Sequence, residues 1–218
     1  MNISDVIRQR ILEARKSYNA NDNISSFIME GELDKLKEEI EAKVDLLLRS
    51  LVIDIDNDPN SKETPHRVAK MYVDEVMSGR YYNEPKITEF PNGRQLDQLY
   101  VVGPIQVNSM CSHHMVPILG EAWIGVFPGE NVVGLSKFNR IVEWIFSRGQ
   151  IQEEATSDLA DYLESVIQPK GLAVYVKAKH LCLCWRGVKD SGTQMITSVM
   201  RGNMRGPLKA EFLSYIGK

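Results

Sequence analysis

The sequence predicts an α+β fold with an antiparallel sheet, on three observations. Helical periodicity dominates the first third of the chain. Two-residue alternation then occurs in two separated pairs of segments. Two further helical stretches lie between those pairs. The order is helices, two strands, two helices, two strands and a short C-terminal helix.

Taken in order, residues 1–30 are polar with a weak apolar stripe at Val6, Ile7, Ile11 and Leu12, which predicts a short helix followed by an Asn/Ser-rich link from Asn19 to Ser26. Leu33, Leu36, Ile40, Val44, Leu47, Leu48 and Leu51 recur in steps of three and four, one face of a long helix that Asp56-Asn57-Asp58-Pro59-Asn60 breaks. These residues set a helical region over 1–60 apart from a second domain over 61–218. Thr64-Pro65 reads as a helix start, with a hydroxyl at the cap and proline at the first position. Val68, Met71, Tyr72, Val76 and Met77 form its inner face, and Gly79 its end. Leu99–Val107 and Ala122–Phe127 read as strands. Gly134-Leu135-Ser136 opens a helix with Ile141, Val142, Ile145 and Phe146 inward. Ile151, Ala155, Leu159, Leu163 and Val166 mark another, stopped by Pro169 and Gly171. Leu172–Trp185 alternates as one long strand, and Thr193–Met200 as a further one.

Composition narrows the function classes. Apolar residues make up 43% and charged residues 25%, with a net charge of −3, an ordinary globular balance with no basic field for nucleic acid. No apolar run is long enough to span a membrane, and the N-terminus lacks a basic segment followed by an apolar one, so a cytoplasmic protein is expected. Three cysteines are too few and too odd in number for a disulfide framework.

Chemistry concentrates in two windows. Of the four histidines and three cysteines, all but His66 lie in Cys111-Ser112-His113-His114 or in His180-Leu181-Cys182-Leu183-Cys184. The first is a Cys-x-x-His pair in a turn. The second lies on the expected long strand, where 180, 182 and 184 would share a face about 6–7 Å apart. Thiolate and imidazole are zinc ligands; three leave a fourth position for water, whereas four close the site. Catalytic zinc, structural zinc and merely buried thiols all fit the spacing. The chain has no His-Glu-x-x-His helix, nucleobase-deaminase signature, Gly-x-Ser-x-Gly elbow or phosphate-loop motif.

An anion site is expected at the helix opened by Gly134-Leu135-Ser136-Lys137-Phe138-Asn139-Arg140. Free N–H groups, a hydroxyl at the cap and two nearby cations suit phosphate there. Arg186 adds a cation two residues past Cys184. Gln152-Glu153-Glu154 opens the next helix. A carboxylate there could accept from the N1–H and 2-amino donors of guanine, although first-turn glutamates also serve as plain dipole partners.

Together these stretches, with Glu63-Thr64-Pro65-His66-Arg67-Val68-Ala69-Lys70-Met71 and Arg186-Gly187, resemble the GTP cyclohydrolase I family, in family order across roughly residues 33–216. The resemblance implies the tunnelling fold for the 61–218 domain, and a homo-oligomer, usually a decamer of two pentamers, with sites between subunits. It implies Cys111, His114 and Cys182 as ligands of Zn2+, and His113 and His180 as acid/base residues. It implies Glu153 as guanine anchor with Gln152 beside it. Ser136, Lys137, Arg140 and Arg186 match its triphosphate contacts, with Arg67 and Lys70 as further ones. The implied reaction hydrolyses GTP at C8, releases formate and forms 7,8-dihydroneopterin triphosphate. A related purine or pterin enzyme of the same fold, or an inactive zinc scaffold, are the alternatives. Where the family usually carries an acidic residue after the first cysteine, this chain has Ser112, and Cys184 is an additional thiol.

Overall fold

The computed structural model describes residues 2–217, which fall into two compact units divided between Asn83 and Glu84. The first is helical. Its α1 (Ile3–Glu13) buries Ile7 and Ile11, packing them with Ile24 of the following link. The long helix α2 (Glu32–Ser50) forms where the leucine periodicity requires it, but only Leu36 of its apolar stripe is buried, and Leu47 and Leu51 stay exposed. A bidentate ion pair ties the two helices: Arg10 Nη1 and Nη2 donate to Glu32 at 2.6 and 2.7 Å. It holds the Glu32 carboxyl down at about 2.

The helix expected at Thr64 runs as α3 (Thr64–Lys70), continues as a π-helical turn over Met71–Val76, and is followed by the short α4 (Ser78–Tyr81). Glu63, not Thr64, occupies the cap position, and no side chain caps the helix. The buried residues are Pro65, Ala69, Val73, Met77 and Gly79. The wider π turn shifts the phase of the inner face, so Met71, Tyr72 and Val76 are only half-buried.

The second unit is built on a five-stranded sheet. In chain order its elements are β1 (Glu89–Pro91), β2 (Tyr100–Cys111), β3 (Pro117–Phe127), β4 (Asn131–Val133), α5 (Leu135–Phe146), β5 (Gly149–Gln150), α6 (Gln152–Ile167), β6 (Gly171–His180), α7 (Leu181–Cys184), β7 (Met195–Gly202) and α8 (Leu208–Tyr215). The sheet order is β5-β2-β3-β6-β7. All pairs are antiparallel except β2 with β5, which adds a parallel contact at Met110 and Cys111. β1 and β4 pair separately.

This antiparallel-rich sheet with packed helices is consistent with the tunnelling fold. One face carries Val102, Ile124, Val126, Leu172, Val174 and Val176 against α5 and α6; the other packs Ala173 and Tyr175 against Met204 and Phe212. Gly125 permits that second contact, because a Cβ there would lie 2.6 Å from the Phe212 ring.

The strand expected over 172–185 is shorter than its alternation suggests. β6 ends at His180, whose partner Ile118 is one residue from the start of β3. β7 runs out earlier still, at the Met195–Ala178 pair. Beyond His180 the backbone has no ladder to join, and Leu181–Cys184 closes a helical turn instead, with Trp185 N–H donating to the Leu181 carbonyl at 3.0 Å. Residues 180, 182 and 184 therefore do not share a strand face, and Arg186 lies on no strand. Among the described residues no helix is long and apolar enough to cross a membrane.

Candidate active site

The corner where β2, β6 and α7 end gathers the cysteines and histidines. Cys111, the last residue of β2, is buried. A tight turn follows: Met115 N–H donates to the Cys111 carbonyl and Cys111 N–H to the Val116 carbonyl, both at 2.9 Å, with Met115 at φ 54°. The turn leaves His113 and His114 exposed, their rings 6.5 Å apart and nearly perpendicular. The α7 turn brings Cys182 to them. Ligand atoms of Cys111, His114 and Cys182 all lie within 4.8 Å of one another.

That spacing fits a metal. Zinc–sulfur bonds of about 2.3 Å put two ligating sulfurs about 3.8 Å apart, within a small side-chain adjustment of the observed cluster. The electrostatics agree. Burial pushes the Cys182 thiol up, and the adjacent Cys111 sulfur raises it further. A thiol raised in this way resists ionising until a cation balances it. These three residues could hold a metal ion, and a three-ligand set leaves one tetrahedral position to a non-protein ligand. Cys184 does not join the group. Arg186 does reach the corner: its Nη1 is 3.0 Å from His114 Nε2. Guanidinium can only donate, so in this contact His114 Nε2 accepts, and a metal bound at that nitrogen would take the guanidinium's place.

His180 stands at the end of β6, half-buried, with its Nε2 2.8 Å from Gln152 Oε1. Burial lowers its pKa from the ordinary histidine value, and the Glu153 carboxylate pulls it back up. Glu153 itself is exposed in the first turn of α6, beside a fully buried Gln152. Sequence reasoning missed what surrounds Gln152: its Nε2 donates to Thr197 Oγ1 at 3.0 Å and to the Met195 and Val176 carbonyls at 3.2 and 3.3 Å. The one available signal was Thr156, four residues after Gln152 on the same helix face.

The anion-site residues are placed differently. The helix α5 begins after Gly134, and no side chain caps it; Ser136 lies inside the first turn, so the expected hydroxyl cap is not formed. Ser136 and Arg140 are exposed. Lys137 Nζ donates to the Lys86 carbonyl at 2.9 Å. Among the described residues no hydrogen bond or ion pair joins Ser136, Lys137 or Arg140 to the thiol–histidine corner. The first turn holds no acidic residue, an unfavourable charge pattern worth about 0.3–1 kcal/mol per cation. Buried Phe138, Ile141, Val142, Ile145 and Phe146 contribute about 1.5–3 kcal/mol each, which outweighs that cost and lets α5 keep an anion-ready start. Arg67 and Lys70 lie on α3 in the helical unit, both exposed.

With this geometry in hand, comparison with known proteins is direct. A sequence model described as GTP cyclohydrolase I matches residues 40–217. A protein of Haemophilus ducreyi named GTP cyclohydrolase 1 is 37% identical over 188 residues, covering 85% of this chain and 86% of that protein. Proteins of the same name are 39% identical in Aliivibrio salmonicida, covering 84% and 85%, and 40% identical in Shewanella loihica, covering 82% and 84%.

Proposed function

The chain belongs to the GTP cyclohydrolase I family, and we propose that it hydrolyses GTP at C8, releases formate and rearranges the product to 7,8-dihydroneopterin triphosphate. The observation that carries this reading is the corner itself: two thiols and an imidazole converge within 4.8 Å, next to a histidine that feels the charge of a first-turn glutamate.

Zn2+ is the metal we assign to Cys111, His114 and Cys182, because a two-sulfur, one-nitrogen set suits its softness and leaves the site open. When bound, it supplies a water of lowered pKa as the nucleophile at C8. The chain does the rest. Glu153 accepts from the guanine N1–H and 2-amino group and orients the base. Gln152 stands behind it, buried, and bears on the base only through His180. His180, which burial biases toward its uncharged form, and exposed His113 move protons to and from the imidazole ring nitrogens as it opens. Ser136, Lys137, Arg140 and Arg186 bind the triphosphate.

Assembly into a homo-oligomer, a decamer of two pentamers, is part of the same proposal. Two features support it. The sheet has open edges, with β7 paired on one side only and β2 covered by β5 only at Met110 and Cys111. Leu46 and Leu47 of α2, and Leu51 just past its end, are exposed. Arg67 and Lys70 are assigned to triphosphate bound by a neighbouring copy. A cytoplasmic setting suits three free thiols.

The test is incubation of purified protein with GTP, reading formate and, after oxidation, pterin fluorescence. Both should form together. Formate without a pterin would move the reading to a related purine hydrolase, and neither product would leave a zinc-binding scaffold.

A further inference from the structure

Gln152 is 2% exposed, yet every polar atom of its side chain is engaged. The orientation of its amide follows from chemistry. Two of the partners around Nε2 are the backbone carbonyls of Val176 and Met195, which cannot donate. A flipped amide would press Oε1 against both. The NH2 group therefore faces the sheet, and Oε1 faces His180.

A closed ring of hydrogen bonds locks that orientation. Thr156 Oγ1 donates to the Gln152 carbonyl at 2.6 Å, which uses its single proton. The 2.7 Å contact between Thr156 and Thr197 is then donated by Thr197. Thr197 Oγ1 in turn accepts from Gln152 Nε2 at 3.0 Å. The three residues come from α6 and β7, so the ring is anchored in regular structure at both ends.

From this ring we infer that Gln152 is a positioning residue that holds His180 as the Nε2–H tautomer in one ring orientation, leaving Nδ1 as the atom that exchanges a proton with substrate. Oε1 has only lone pairs to offer, so the His180 nitrogen 2.8 Å away must carry a hydrogen. The Nδ1–H tautomer would set two lone pairs against each other. A flip of the imidazole would break the same bond. The inference rests on the reading that His180 acts on GTP, but it assigns Gln152 to the histidine and not to the nucleotide.

Two measurements on the zinc-loaded protein test it. The first does not use turnover. Nitrogen NMR of histidine-labelled protein, with the His180 signals identified by their loss in His180→Ala, should show protonated Nε2 and unprotonated Nδ1 in the neutral ring. A protonated Nδ1 overturns the inference whether or not GTP is the substrate. The second is a kinetic cycle. Gln152→Met keeps volume but removes the acceptor. It should lower kcat for formate release roughly 10- to 100-fold, a fraction of a general acid–base contribution, with KM for GTP within about threefold for unchanged binding. In a His180→Ala background the same substitution should cost almost nothing more, because the two act as a unit. Thr197→Val, which removes one support of the amide, should give a smaller kcat loss of the same kind and serves if Gln152→Met does not fold. A raised KM at unchanged kcat, or a full additional loss in the His180→Ala background, would make Gln152 a direct substrate contact. Absence of formate from the wild type would instead sink the reading of the site, leaving the NMR result standing alone.

Discussion

The thiol–histidine corner and the start of α5 are two halves of the proposed site, and they are built in opposite ways. The corner is closed by the chain itself: Cys111 is buried, its turn is double-bonded through the backbone, and Arg186 already touches His114. The start of α5 is open. Ser136 and Arg140 are exposed, and Lys137 is tied only to a loop carbonyl. The difference separates chemistry from recognition. A metal needs donors held to a fraction of an ångström, which the end of β2 and the hydrogen-bonded turns beside it supply. A triphosphate is long, flexible and highly charged, so side chains on an exposed helix start can close around it when it arrives.

If that division is right, the largest losses come from the corner. Cys111→Ser, His114→Ala and Cys182→Ser should each strip bound zinc and lower formate release by about a thousandfold or more, as removal of a metal ligand removes its nucleophile. Cys184→Ser should keep metal and activity within a few-fold, since its sulfur stands outside the cluster. Metal analysis of the four variants checks this; zinc lost from Cys184→Ser would mean a closed, structural site.

Glu153 comes next. Glu153→Gln should cut GTP turnover by about a hundredfold or more, the scale for unpairing buried polar recognition. Glu154→Gln should change it little, because it is the Glu153 carboxylate that raises the His180 pKa. Equal effects in parallel kinetics would reduce Glu153 to a helix-start charge.

The open half should respond more gently and depend on the ligand. Arg140→Ala should lower kcat/KM for GTP by about 1.5–3 kcal/mol, one charge-assisted contact. Guanosine should be a poor substrate, and the same variant should not worsen it. Arg186→Ala should hurt both substrates, since Arg186 contacts His114 in the corner itself. Identical behaviour of the two arginine variants would erase the boundary between the halves.

The smallest effect on activity belongs to the helical unit. Arg10→Ala, which breaks the bidentate pair with Glu32, should lower stability more than Arg8→Ala, whose partner pair is exposed and contributes about 0–1 kcal/mol. The pH dependence has a definite sign. Glu32 is held down to about 2 from an ordinary value of 4.5, so its contribution is present above that ordinary value and fades as pH falls toward 2. Thermal melts between pH 5 and 2.5 should show a steeper decline for the wild type than for a variant lacking the pair.

Most of this was legible in the sequence where a single residue type carried the signal. The α2 leucines, the apolar face of α5 and the Cys-x-x-His turn all appear where pattern places them. The segment after His180 did not. Leu181-Cys182-Leu183-Cys184-Trp185 has strand-like composition, and nothing in it marks the end of β6; the end is set by where β3 and β7 stop offering partners. That tertiary limit replaced the expected strand beyond His180 with the α7 turn, which sets Cys182 beside Cys111 and His114 and leaves Cys184 out. The Gln152 ring was hidden for a similar reason, because Thr197 reaches it from a strand over 40 residues away.

The most direct test of the central claim is metal titration against turnover. Protein stripped by a chelator and dialysed free of metal should release no formate from GTP. Activity should return in proportion to added zinc and level off at about one zinc per chain, the stoichiometry of one three-ligand site. Undiminished formate release from fully stripped protein, or a plateau that ignores Cys111→Ser, would contradict it.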